Sequence, residues 1–351
     1  MSRFFSTRLS LLDAYEPGEQ PSGVEYIKLN TNESPYPPPD SIKAAAVNEL
    51  EKLNLYPNPD GRALINRLAE NYDVKPENII VGNGSDELLA FSFHAFLEDG
   101  VVFPDITYGF YPVYAELYNV PYQQIPLLDD LTVNIKDYIN TGKNVIIANP
   151  NAPTGIALTL DEIEEIVKGN PDFIVIIDEA YIDFGGKSAI GLINTYDNLL
   201  IIHTFSKSRS MAGARLGFAA GPAPIIKDLN KIKYSFNPYN VNRITQVIGE
   251  AAISEEEYFI GKRREIIKTR EYTKMRLKNL GFIMTDSCAN FLFGKHPEIG
   301  GHILYSKLKN MGILVRQWNK PRISDYVRIT IGTKEQMDAL IAATGEILSN
   351  G

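Results

Sequence analysis

The sequence predicts an α/β fold, with a mainly parallel sheet in a large domain and a smaller α+β domain at the C-terminal end. Three observations carry this reading. Short apolar runs alternate with helix-period stretches between residues 79 and 233. Several of these runs are apolar throughout, as in a sheet buried on both faces. After residue 240 the rhythm changes to one long charged helical stretch and a second set of short runs. A chain of 351 residues, 44% hydrophobic and 22% charged, has the composition of a globular protein and length for both parts.

Taken in order, Lys28-Leu-Asn-Thr-Asn-Glu-Ser leads into Pro35, Pro37, Pro38 and Pro39, whose fixed φ forces an extended path before the first long helix. Strand-like runs follow at Ile79–Val81, Val101–Phe103, Val145–Ala148, Phe173–Ile177, Leu199–Ile202 and Leu216–Ala220. Helix-like segments lie near 85–98, 109–118, 159–168 and 223–233. Such alternation is the pattern of βαβ units. A helical stretch over 242–280 opens the second part. It precedes the runs Phe282–Thr285, Ala289–Phe293, Ile313–Val315 and Tyr326–Ile331, with helices near 300–311 and 334–349. The expected division is an N-terminal arm over 1–30, a large domain over 31–240 and a small domain over 241–351, although no Gly/Ser linker marks the boundary.

Composition narrows the function. Acidic residues outnumber basic ones 43 to 35, giving a net charge of −8, which argues against a nucleic-acid partner. A single cysteine, Cys288, leaves no intramolecular disulfide and fits a reducing compartment. His94, His203, His296 and His302 form no metal-ligand spacing with it, so no metal is expected. No apolar run approaches the ~20 residues of a membrane span. The N-terminus, MSRFFSTRLSLLDAYEPG, lacks the apolar stretch and cleavage site of a signal peptide. The expectation is a cytoplasmic enzyme.

Ligands of open α/β sheets gather at the carboxyl ends of the strands, so the polar residues after each apolar run are the candidates. Val81-Gly-Asn-Gly-Ser-Asp-Glu turns from strand to helix. Gly82 and Gly84 permit the turn, and the free amides at the helix start suit either a phosphate or a plain cap. Asn149-Pro-Asn-Ala-Pro-Thr-Gly alone is no more than a turn. Phe173-Ile-Val-Ile-Ile-Asp178-Glu179 ends a buried strand in two carboxylates, as a magnesium site beside a phosphate loop would. The only Gly-Lys-Ser, at 186–188, has Tyr181 where the first glycine of a P-loop belongs, so nucleotide hydrolysis is excluded. A buried carboxylate still needs a cation or a donor. His203-Thr-Phe-Ser206-Lys207 then places a lysine just past a buried strand, with Arg215 eight residues on between Gly213 and Gly217. Such a lysine can form a Schiff base, and such an arginine can grip a phosphate with two donors. Lysine, strand-end aspartate, glycine-rich helix start and serine–arginine pair together supply the contacts of pyridoxal 5′-phosphate.

On these motifs the chain resembles the fold-type-I pyridoxal-phosphate-dependent aminotransferases, and within them the histidinol-phosphate aminotransferase family. The resemblance runs from Leu29-Asn-Thr-Asn-Glu-Ser-Pro to Val327-Arg-Ile-Thr-Ile-Gly. It implies that Lys207 bonds the cofactor and moves the proton, and that Asp178 pairs with the pyridine nitrogen. It further implies that Asn151 and Tyr181 bond the phenolic oxygen and that Tyr108 stacks on the ring. Gly84, Ser85, Asp86, Ser206 and Arg215 would surround the phosphate. Tyr56 matches a tyrosine that reaches the phosphate from the partner subunit, which implies a homodimer with shared sites. Arg328 matches the residue that binds the substrate's anionic end, and Arg316 the second phosphate contact. Tyr15, Tyr239 and Asn240 match substrate-side positions. The implied reaction is transamination of L-histidinol phosphate with 2-oxoglutarate. An aromatic or broad-specificity aminotransferase and a threonine-phosphate decarboxylase share most of these motifs and stay open. A regulator built on the same domain is set aside, since the family's core begins at about residue 25.

Overall fold

The computed structural model describes residues 2–10, 12–20, 23 and 25–350. The first half contains β1 (Ile27–Lys28), α1 (Asp40–Glu49), α2 (Arg62–Tyr72), β2 (Ile79–Gly82), α3 (Ser85–Phe96), β3 (Val101–Pro104), α4 (Phe110–Tyr118), β4 (Tyr122–Ile125), β5 (Asn144–Ala148) and α5 (Leu160–Lys168). Next come β6 (Val175–Asp178), β7 (Leu199–Thr204), β8 (Gly217–Ala220), α6 (Ala223–Phe236), α7 (Arg243–Ser254) and α8 (Glu256–Asn279). The chain closes with β9 (Ile283–Met284), β10 (Phe291–Lys295), α9 (Gly301–Asn310), β11 (Ile313–Leu314), β12 (Arg316–Gln317), β13 (Val327–Thr330) and α10 (Lys334–Ser349).

Among the described residues, β2-β8-β7-β6-β5-β3-β4 form one seven-stranded sheet in that order. The ladders from β7 through β4 are parallel, and β8 runs against both its neighbours. Successive residues of a strand feed opposite cores. Val145, Ile147, Val175, Ile177, Leu199 and Ile201 go to one face; Ile146, Ile176, Leu200 and Ile202 go to the other. This is why the strands are apolar throughout: each of these side chains contributes ~1.5–3 kcal/mol by leaving water. The edge strand β4 escapes the sequence reading because Tyr-Gln-Gln-Ile has no apolar run. Its exposed polar side chains suit an open edge.

The stretch read as one helix over 242–280 is two helices that meet at Glu255, where φ is −100° and ψ 30°. Helix polarity explains the break. Glu255, Glu256 and Glu257 would crowd the negative end of α7 but are favourable at the positive start of α8. Asn242 caps α7 by accepting a hydrogen bond from the Thr245 amide, a contact worth ~1 kcal/mol. Ala252, Ile253 and Phe259 extend the large sheet's core past residue 240, whereas Ile266 and Leu277 of the same α8 join the C-terminal core.

That second core lies under the antiparallel sheet β12-β13-β10-β9. Leu292, Val327 and Ile329 of its strands pack with Leu304 of α9 and Leu340 of α10. β1 pairs in parallel with β11, Ile27 opposite Ile313, and Leu29 enters the same core, so the end of the arm is tied to the C-terminal unit. No helix among the described residues is long and apolar enough to cross a membrane.

Candidate active site

The carboxyl ends of β2, β3, β5, β6 and β7 face one cavity of about 470 Å³, and the C-terminal unit and the arm close its other side. Among its lining residues are Tyr15, Ser85, Asp86, Tyr108, Asp178, Tyr181, Ser206, Lys207, Arg215, Arg316 and Arg328. Local turns put them there. Gly84 takes φ +80° between β2 and α3, a value that favours glycine. Arg215 itself adopts φ +51° to turn the chain into β8.

At one end these residues form a cup. The start of α3 presents backbone amides that have no partner within the helix. Arg215 Nη2 lies 3.0 Å from Asp86 Oδ2, and its Nη1 lies 3.4 Å from Ser206 Oγ, which also accepts from Thr204 at 3.0 Å. The backbone here is packed to contact. A Cβ on Gly217 would stand 2.5 Å from the Ser85 nitrogen, and one on Gly84 would stand 2.6 Å from Arg215 Nη2. The Asp86 side chain is spent on Arg215 and on the Tyr108 hydroxyl, which donates to it at 2.7 Å, so only its backbone amide is left for an anion. Burial, then the Asp86 charge, holds the Tyr108 phenol well above its ordinary value.

Asp178 closes the bottom. It is buried, accepts from the Tyr111 hydroxyl at 3.0 Å and from the Ala180 amide at 3.1 Å, and among the described residues pairs with no lysine or arginine. Burial pushes its carboxyl up to about 6 despite those two donors. Its neighbour Glu179 turns away, as strand alternation requires. It accepts from the Ala189 amide at 2.7 Å and lies 2.8 Å from His203 Nε2.

Lys207 stands half-buried at the end of the β7 loop. Its Nζ donates to the Thr31 carbonyl at 3.2 Å and lies 5.6 Å from the centre of the Tyr181 ring. The loop is pinned on both sides of it: Ser208 donates to Asp183, and Arg209 bonds Glu256 and the Ala252 carbonyl. The Tyr181 hydroxyl accepts from Asn32 at 2.9 Å.

Two arginines mark the far end. Arg316 and Arg328 are directly opposed across the antiparallel β12/β13 ladder. Like charges so placed are destabilising unless something compensates them. Arg328 lies between the Phe291 and Trp318 rings, 5.3 and 5.1 Å from their centres, with its Nε buried and unbonded and only Nη2 engaged, by the Asn30 carbonyl at 3.1 Å. Burial pulls its guanidinium down from the ordinary value, with Arg316 adding to the effect. Arg316 gives two hydrogen bonds to the arm, to the carbonyls of Pro17 at 3.2 Å and Glu16 at 3.1 Å. Tyr15, also from the arm, stacks on Phe110 with ring centres 4.0 Å apart.

Not every expected residue lines this cavity. Asn151 lies beside it with its amide spent on Ile106, Thr154 and Thr107. Tyr56 stacks on Tyr239 at 4.5 Å, outside the cavity, and Asn240 bonds Glu87 behind the cup. The sequence reading passed over three residues that the structure brings in. Tyr111, in the first turn of α4, lies three residues after Tyr108, a spacing that could have flagged it. Trp318, the only tryptophan in the chain, lies two positions after Arg316 and just past β12. Thr204 precedes Ser206 by the same interval.

The donor set fits pyridoxal 5′-phosphate. A buried carboxylate without a cation suits a protonated ring nitrogen, a cup too tight for a Cβ suits a phosphate held by backbone, and an amine stands between them and the arginine end. The model for aminotransferase class I and II matches residues 24–343. Over 354 residues, the whole of both chains, the sequence is 49% identical to histidinol-phosphate aminotransferase of Brachyspira hyodysenteriae. It is 48% identical to that of Lactococcus lactis, covering 96% of this chain and 94% of the relative. The fold matches the crystal structure of histidinol-phosphate aminotransferase from Sinorhizobium meliloti in complex with pyridoxal-5′-phosphate, with a TM-score of 0.89 at 21% identity over 100% of this chain and 99% of that one. The chain belongs to the class I and II aminotransferases, pyridoxal-phosphate-dependent enzymes, and within them to the histidinol-phosphate aminotransferase family.

Proposed function

We propose that this cavity catalyses L-histidinol phosphate + 2-oxoglutarate ⇌ 3-(imidazol-4-yl)-2-oxopropyl phosphate + L-glutamate, a step of histidine biosynthesis in the cytoplasm. The observation that carries the substrate is the opposed Arg316–Arg328 pair, two cations lining the cavity with no carboxylate paired to either among the described residues. A phosphomonoester compensates both charges, and a carboxylate of glutamate compensates one. The names of the relatives point the same way.

When bound, the cofactor supplies an electron sink for the bond broken at the substrate's α-carbon. The chain's part is positioning and proton transfer. Arg215, Ser206, Thr204 and the amides at Gly84, Ser85 and Asp86 would hold the phosphate, and Tyr108 would pack against the ring. Asp178, steadied by Tyr111, would keep a proton on the ring nitrogen. Tyr181, which lines the cavity, would serve the phenolic oxygen, and Asn151 would join it only by giving up its bonds to Ile106 or Thr154. Lys207 Nζ takes the proton from the α-carbon of the donor, while Arg328, Arg316 and Tyr15 orient that donor by its anionic end. The reaction runs in two halves, the keto product leaving before 2-oxoglutarate enters.

The same proposal makes the protein a homodimer. Tyr56 is 76% exposed and cannot serve its own cavity. Leu50, Leu53 and Leu55 of the same segment are exposed as well, an apolar surface that a second copy would cover. Tyr56, with Tyr239 stacked on it, would then complete the partner's site. The test of the reaction is amine transfer. L-Histidinol phosphate labelled at its α-amine with a heavy nitrogen isotope should place that isotope in glutamate, read by mass spectrometry; glutamate formed without the label would contradict the proposal.

A further inference from the structure

The reaction proposed above leaves one structural question at the substrate end. Arg316 and Arg328 sit opposite each other on adjacent strands, and no acidic side chain pairs with either among the described residues. Something must offset their repulsion while the site is free of an anion. Trp318 directly follows β12, two positions after Arg316, and lines the cavity. Its ring centre is 5.6 Å from the Arg316 guanidinium carbon and 5.1 Å from that of Arg328. Both contacts are within the range in which a cation is attracted to an aromatic face. The indole is itself held from behind by the edge of Phe293, ring centres 6.5 Å apart.

We infer that Trp318 is the specificity-determining residue of the anion end: by holding both guanidinia against one indole, it keeps a two-cation site that favours the dianionic phosphomonoester group of a donor over a monoanionic carboxylate group bound in its place. This rests on the proposed reaction. Removing the ring leaves Arg328 with Phe291 and frees Arg316 to follow the arm carbonyls that it already bonds. The phosphate then loses one of its two charge partners, whereas a single carboxylate keeps the one that it needs.

The experiment compares wild type, Trp318→Leu and Trp318→Phe as cofactor-loaded enzymes, with kcat and KM measured for L-histidinol phosphate and for L-glutamate as donors. A cation–π contact of ~1–2 kcal/mol corresponds to roughly tenfold in binding. Trp318→Leu should raise KM for L-histidinol phosphate at least about tenfold, change that for glutamate less than about threefold, leave kcat nearly unaltered for both, and regain most of the difference as Phe. Equal losses for both donors, or no loss, would overturn the inference. A second readout needs no turnover. Trp318 is the only indole in the chain, so its emission in the wild-type holoenzyme should change on titration with methyl phosphate at far lower concentration than with acetate. An emission indifferent to both, or equally sensitive to both, counts against the inference. If wild type does not transaminate L-histidinol phosphate, the proposed reaction fails, and the methyl phosphate titration still decides the role of Trp318.

Discussion

Asp178 concentrates the residue-scale argument. Folding moves its carboxyl from an ordinary 3.8 to about 6, with burial as the main cause. The native protein without cofactor therefore binds this proton more tightly than the unfolded chain does. The resulting stability is fully present below about pH 4 and is lost as pH rises through about 6, a contribution on the order of 3 kcal/mol. Cofactor-free Asp178→Asn should accordingly melt higher than wild type near neutral pH, and the gap should close as pH falls to about 4. A gap that does not change with pH would contradict this. Loading the cofactor should reverse the order, because only the carboxylate pairs with a protonated ring nitrogen. The sequence made Asp178 visible as a polar end to an apolar strand. It did not show Tyr111, whose role depends on α4 being wound so that this hydroxyl reaches the strand.

At the scale of elements, the buried strands were legible because both their faces had to be apolar. The elements that escaped lacked that constraint: β4 is polar at an open edge, and β12 is two residues long. The break between α7 and α8 depends on three consecutive glutamates and helix polarity, which an apolar period does not register. The cup is where elements meet most closely. Gly217 opens β8 against the start of α3, and a Cβ there would meet backbone atoms of Ser85 at 2.5 Å and Gly84 at 2.7 Å. Backbone cannot swing aside, so Gly217→Ala should open the cup at a cost of ~1–3 kcal/mol and weaken cofactor binding by roughly 5- to 150-fold. Gly191→Ala, whose Cβ would meet nothing within 4 Å, is the matched control. Equal cofactor affinity for the two variants, by equilibrium titration, would refute the close-packed cup.

For the whole molecule, which copy a residue serves is implied by the family resemblance alone, which gives Lys207 to its own chain's cofactor and Tyr56 to the partner's. Lys207 lies inside the cavity of its own chain and Tyr56 outside it. If sites are shared, mixing inactive Lys207→Ala subunits with Tyr56→Ala subunits should rebuild one intact site in each hybrid dimer and restore activity well above either parent. No restoration after verified subunit exchange would argue for self-contained sites. The α/β frame, the cofactor and the lysine were all readable from one chain; the anion end was only partly so, since Arg316 and Arg328 become a pair only through the β12/β13 register. The most direct test of the account is the visible spectrum of the cofactor-loaded enzyme during single-turnover addition of L-histidinol phosphate, L-phenylalanine or O-phospho-L-threonine, each without keto acid. The account predicts that L-histidinol phosphate converts the lysine-bound cofactor band to the amine form fastest. Faster conversion by phenylalanine, or no conversion with carbon dioxide released from phosphothreonine, would contradict it.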